Sequence, residues 1–192
     1  MPSWAEMQAA MSGLKRLLRF DATFVQWFDR SPQGALRSFG LMIPAIPLFL
    51  ILRFADMSVA PDVDTLRVVA VTVINYLLSW VMFPLILILI GRAVEREAQA
   101  IGALSSYNWF GVALMTVGSG IVLLDSTGLM GSAVDYLSIL LMVASLVYEV
   151  FLLRVVMGLG YGGAALLVIV DFTLTQSLYI LLMSPIMSTT VS

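Results

Sequence analysis

The sequence predicts an all-α fold, a polytopic transmembrane bundle of five helices, and three observations carry that prediction. First, 60% of the 192 residues are hydrophobic and only 11% are charged, where soluble domains average about 45–50% apolar and about 25% charged. Second, the mean hydropathy of +1.00 is concentrated in five apolar stretches, each reaching the roughly 20 residues that a hydrocarbon core of about 30 Å requires. Third, the basic residues alternate in side, gathering between every other pair of stretches.

Residues 1–30 read as a helical cytoplasmic segment, distinct from a single transmembrane domain over 31–192. Trp4, Met7, Met11, Leu14 and Leu18 recur every three or four positions, with Glu6, Gln8, Ser12, Lys15, Arg16 and Arg19 on the other faces. This is the pattern of an amphipathic interfacial helix, lying along the membrane surface or on the protein's own cytoplasmic face. Lys15, Arg16 and Arg19 interrupt any apolar run long enough for a signal peptide. Phe20, Phe24, Trp27 and Phe28 then form an aromatic cluster suited to interfacial anchoring.

Ser31-Pro32 has the composition of a helix start, serine capping free amides and proline occupying the first turn, where its missing N–H costs nothing. The first span is expected at about 32–54, with Pro44 and Pro47 kinking it near the middle. A polar connector with Asp56, Pro61, Asp62 and Asp64 leads to a second span at about 66–90, which contains Pro84. A charged turn from Gly91 to Ala100 precedes the third span, about 104–124, and an acidic loop from Asp125 to Asp135 precedes the fourth, about 136–157. The run Gly158-Leu159-Gly160-Tyr161-Gly162 predicts a tight hairpin into the fifth span, about 163–184.

Lys15, Arg16, Arg19, Arg30, Arg37, Arg92, Arg96 and Arg154 fall on one side of these spans, and only Arg53 and Arg67 on the other, eight against two. Under the positive-inside rule this puts the N-terminus in the cytoplasm and the C-terminus in the periplasm. The acidic loops then face outward.

Composition also excludes chemistry. The chain has no cysteine and no histidine, which removes disulfides, thiolate nucleophiles, Ser-His-Asp triads and the usual zinc, copper and haem ligations. No cofactor, metal or catalytic residue is expected. A net charge of −2 without a basic run argues against nucleic acid. Expected partners are the lipid bilayer and other membrane-protein subunits, or further copies of the chain.

The sharpest candidate site comes from counting outward from the hairpin. Glu149 lies eleven residues before Gly160 and Asp171 eleven after it, so antiparallel helices rising about 1.5 Å per residue set both carboxyls at matching depth. Acids at that depth are costly, and two that meet in a low dielectric cannot both stay ionised. Tyr107, Asn108, Tyr148 and Arg154 are expected at similar depth, with Arg154 as the counter-ion. Thr72, Asn75 and Ser79 share one face of the second span, and Gly111, Gly118, Ser119 and Gly120 offer close helix approach in the third.

The run Phe28-Asp29-Arg30-Ser31-Pro32-Gln33-Gly34-Ala35-Leu36-Arg37-Ser38-Phe39, with Ser106-Tyr107-Asn108-Trp109, Tyr148-Glu149, Arg154, the glycine hairpin and Val170-Asp171, resembles small alphaproteobacterial inner-membrane proteins similar to the bacterial Yip1-like group. The resemblance implies five crossings with a cytoplasmic N-terminus, and brings no catalytic residue. The trafficking role of the eukaryotic relatives does not carry over. The expected function is a non-enzymatic, membrane-organising or partner-binding subunit of a bacterial inner membrane. The alternative is a small transporter or proton-linked channel subunit using Glu149 and Asp171.

Overall fold

A computed structural model of the protein describes residues 2–54, 64–129 and 131–186. Among these residues seven α-helices follow in order: α1 (Trp4–Leu17), α2 (Pro32–Ser38), α3 (Met42–Phe54), α4 (Thr65–Ala93), α5 (Glu97–Asp125), α6 (Ala133–Met157) and α7 (Tyr161–Met183). No strand occurs among the described residues. Five helical stretches there are long and apolar enough to cross a membrane: Pro32–Arg53, taking α2 and α3 together, and α4 to α7. The expected connector acids Asp56 and Asp62 lie outside the described residues.

The lead folds in two pieces rather than one helix. Ser3 and Glu6 form a reciprocal capping box, with Glu6 N–H donating to Ser3 Oγ at 3.2 Å and Ser3 N–H to Glu6 Oε2 at 2.6 Å. The helix stops at Leu17, and Phe20 takes a left-handed φ of 53°, which no helix continues through. A 3-10 turn over Ala22–Trp27 follows, capped by Asp21. Ala10, Gly13 and Leu17 face the protein, while Trp4, Met7, Met11 and Leu18 stay open. Gly13 is required there, since a Cβ would stand 2.6 Å from the Phe28 ring.

Ser31 caps α2 as its composition predicts, accepting from Gly34 N–H at 3.0 Å. The first span is interrupted, but one turn before the prolines. A 3-10 turn at Phe39–Leu41 separates α2 from α3, and Pro47 sits inside a continuous helix. Pro44 explains this. It has no N–H for the Gly40 carbonyl and its ring crowds that carbonyl, so the ladder breaks upstream and Pro44 falls in the first turn of a new helix, where no N–H is needed.

The charged turn before α5 is much shorter than its composition suggests. Only Val94 to Arg96 separate α4 from α5, with Glu95 at a φ of 57°. Gly91 permits the closure, because a Cβ there would lie 2.6 Å from the Ala100 Cβ. The glycine hairpin likewise tightens to Gly158-Leu159-Gly160, and α7 begins at Tyr161.

Helices α4, α5, α6 and α7 pack as a ring, each against its two neighbours, and α2 and α3 lie against α5, with Phe49 of α3 also meeting Tyr76 of α4. The main core, with Phe83, Leu87, Leu104, Phe110, Leu152 and Leu153, fills the end nearest the α6–α7 turn. The lead closes that end: Phe24 and Phe28 join the core, and the Tyr148 hydroxyl donates to the Leu18 carbonyl at 3.1 Å.

Two arginines finish α6. Arg96 Nη1 donates to the Met157 and Gly158 carbonyls, both at 2.6 Å, and Arg30 Nη2 reaches the Val156 carbonyl at 3.4 Å. The last carbonyls of a helix lack intrahelical donors and carry the negative end of its dipole, so cations there are doubly suited. Gly158 supplies the left-handed cap, φ 65°.

Candidate functional site

The three-residue hairpin sets α6 and α7 antiparallel, so Glu149 and Asp171 stand level, roughly 16 Å along the helices from Gly160 at about 1.5 Å per residue. Both are buried, 8% exposed, and their carboxyls are close enough to interact. Asp171 Oδ2 accepts from the Tyr107 hydroxyl of α5 at 2.6 Å, and Oδ1 from Thr175, one turn on, at 3.4 Å. Among the described residues no N–H or alcohol donates to the buried Glu149 Oε1. The Phe83 ring of α4 packs against Tyr107, centroids 5.0 Å apart. All four helices of the ring therefore contribute to the site.

The other residues expected here point elsewhere. Asn108 Nδ2 donates to Ser38 Oγ at 2.9 Å, tying α5 to α2. Tyr148 turns to the lead, stacking on Phe20 with centroids 4.8 Å apart. Arg154 is not the counter-ion: its guanidinium lies 4.3 Å from the Tyr161 ring centroid, and no ion pair among the described residues includes it. Five residues along a helix turn a side chain well away from Glu149, and the first residue of α7 offers a ring within reach.

Tyr107 and Thr175, the two partners of Asp171, line a cavity of about 170 Å³ together with Ser79, Trp80, Asn108 and Met115. A second of about 430 Å³ shares Ser79, Met115 and Thr175 with it and extends to Arg53 and Asn75. Thr175 thus faces Asp171 and both cavities. Neither Thr175 nor Arg53 was singled out for this site by the sequence reading, although an i+4 hydroxyl beside a buried acid is a readable signal.

At the start of the first span, Glu6 and Asp29 of the lead flank Arg37, with Arg37 Nε 2.8 Å from Glu6 Oε1 and Nη2 2.5 Å from Asp29 Oδ2. The Ser3 backbone N–H, aided by Arg37, holds Glu6 below the usual carboxylate range. Hydrogen bonds from Ser31, then Arg37, do the same for Asp29. Among the described residues no cluster of acids has the grouping that holds a metal ion.

Five apolar helical stretches of membrane-crossing length, carrying a polar site inside the ring, define a multi-pass helical membrane protein. No protein-family model, curated protein or solved structure matches this chain, so the likeness to the Yip1-like group rests on its short motifs alone.

Proposed function

We propose that the chain is a non-enzymatic, proton-linked subunit of a bacterial inner membrane, in which Glu149 and Asp171 hold and exchange one proton. The meeting of the two carboxyls inside the ring carries this reading. A carboxylate only accepts, so two carboxyls bond to one another only through a proton held by one of them. Tyr107 and Thr175 hydroxyls each bond Asp171 and line the neighbouring cavity, giving that proton a route of hydroxyl groups toward the wider crevice.

The N-terminus lies in the cytoplasm in this proposal. The eight-to-two split of basic residues supports it, and so does the gathering of Arg30, Arg96 and Arg154 around the α6–α7 turn. Membership of the Yip1-like group is part of the same reading. A reporter fused after Ser192 that is active only in the cytoplasm would overturn the orientation.

The protein in vesicles enclosing a pH-sensitive dye, with an imposed potential, tests the proton step. Proton movement in the native chain and its loss in both Glu149→Gln and Asp171→Asn, with thermal unfolding unchanged, is the expected result. Flux that survives both substitutions removes the proposal.

One observation favours a second reading, a membrane-organising or partner-binding subunit. The Trp4, Met7, Met11 and Leu18 face of α1 is open to its surroundings, as suits a helix resting on lipid or on another subunit. Copurification in mild detergent with a stoichiometric partner, lost on Trp4→Ala and Met11→Ala together, supports it.

A further inference from the structure

At the opposite end of the bundle from the α6–α7 turn, α3 brings a cation into the larger crevice. Arg53 is half-buried between α3, α4 and α7. Its Nη2 donates to Asn75 Oδ1 at 2.9 Å. Its guanidinium carbon lies 4.3 Å from the Tyr179 ring centroid and 5.3 Å from that of Phe49. All these partners are neutral, and none of the ion pairs among the described residues includes Arg53. Its Nε is buried and has no hydrogen-bond partner. The crevice beside it measures about 430 Å³ and is lined by amides and hydroxyls of Asn75, Gln176, Ser79 and Thr175 against the apolar Phe49 and Leu52.

A guanidinium offers five N–H donors in a planar fork that matches the oxygens of a carboxylate or phosphate. Within a membrane span such a charge ordinarily has an anionic partner or faces a polar cavity. Here the flanking rings and Asn75 hold the guanidinium, and the Arg53 side chain lines a cavity large enough for a small head group. We propose that the Arg53 crevice binds a single oxyanion group, a carboxylate or phosphate, carried by a small solute or by an anionic lipid. Asn75 and Tyr179 orient the guanidinium, and the apolar wall accepts the uncharged remainder of the ligand. The site does not depend on the carboxyl pair, although the two cavities share Ser79, Met115 and Thr175.

The test uses the full chain, with inorganic phosphate and acetate added to the detergent-solubilised protein and calorimetry as the readout. In parallel, the chain is placed in phosphatidylcholine nanodiscs with and without phosphatidylglycerol, and retained lipid is measured by native mass spectrometry. Binding of phosphate or acetate identifies a solute site; retention of phosphatidylglycerol without binding of either identifies a lipid site. In either arm Arg53→Gln is expected to weaken binding at least about tenfold, the loss of a charge-assisted hydrogen-bonded pair. Arg53→Lys, which keeps the charge and guards against a folding failure, is expected to weaken it less, having lost the fork. Glu149→Gln is expected to bind as the native chain does, which separates failure of this site from failure of the proton reading. Absence of binding to every probe, or binding indifferent to both Arg53 variants, overturns the proposal.

Discussion

Replacing Asp171 by leucine removes the acceptor of the Tyr107 hydroxyl and the neighbour of the Glu149 carboxyl in one step. Interhelical hydrogen bonds in membrane proteins average only about 0.6 kcal/mol when both partners are removed, so the bonds themselves are a small part of the effect. The larger part is the two groups left behind. Orphaned polar groups in a protein interior cost about 1–3 kcal/mol each, giving about 2–6 kcal/mol for Asp171→Leu. Asparagine should behave differently, because its carbonyl accepts from Tyr107 and its amide donates to Glu149. Asp171→Asn is therefore expected to cost less than about 1 kcal/mol. Reversible unfolding from mixed micelles, followed by tryptophan fluorescence, measures both. If leucine and asparagine fall within about 0.5 kcal/mol of each other, the two orphaned groups are not costing what the argument requires.

Gly158→Ala places a Cβ at a φ of 65° and 2.8 Å from Arg96 Nη1, so it is expected to lower stability by about 1–2 kcal/mol through backbone strain and a displaced cap. A lowered thermal midpoint is the check. Arg96→Gln exposes the Met157 and Gly158 carbonyls and should cost about 1–2 kcal/mol, with faster amide exchange in the last turn of α6 as its signature. The lead should loosen in acid. Glu6 and Asp29 have carboxyl pKa values lowered on folding, so the stability they add is present above their ordinary values of 4.5 and 3.8 and is lost as pH falls below them through the lowered values. Amide exchange of residues 4–17 measured across that window should rise, and Asp29→Asn together with Glu6→Gln should flatten the response.

The spans and the level pairing of Glu149 with Asp171 were legible because both depend on distance along the chain, which hydropathy and a hairpin determine. Direction around a helix axis was not. Tyr107 and Asn108 share a depth, yet successive helical residues point about 100° apart, so one reaches Asp171 and the other Ser38. Tyr148 and Glu149 divide in the same way. The break at Phe39–Leu41 lies upstream of its cause because a proline acts on the carbonyl four residues earlier. Arg53 entered the sequence reading only as a sidedness marker, since its contacts with Asn75 and Tyr179 join three separate spans.

The contacts that dock the lead also impose a schedule on the making of the protein. Arg30 and Leu18 bond to residues 126 and 130 positions further along the chain. At a synthesis rate of about 5–20 residues per second, the lead waits roughly 6–26 seconds for its partners. Through that interval Phe24 lacks its α6 neighbour Phe151. Closure of the lead thus follows the arrival of α6, and it reports that this span has been delivered.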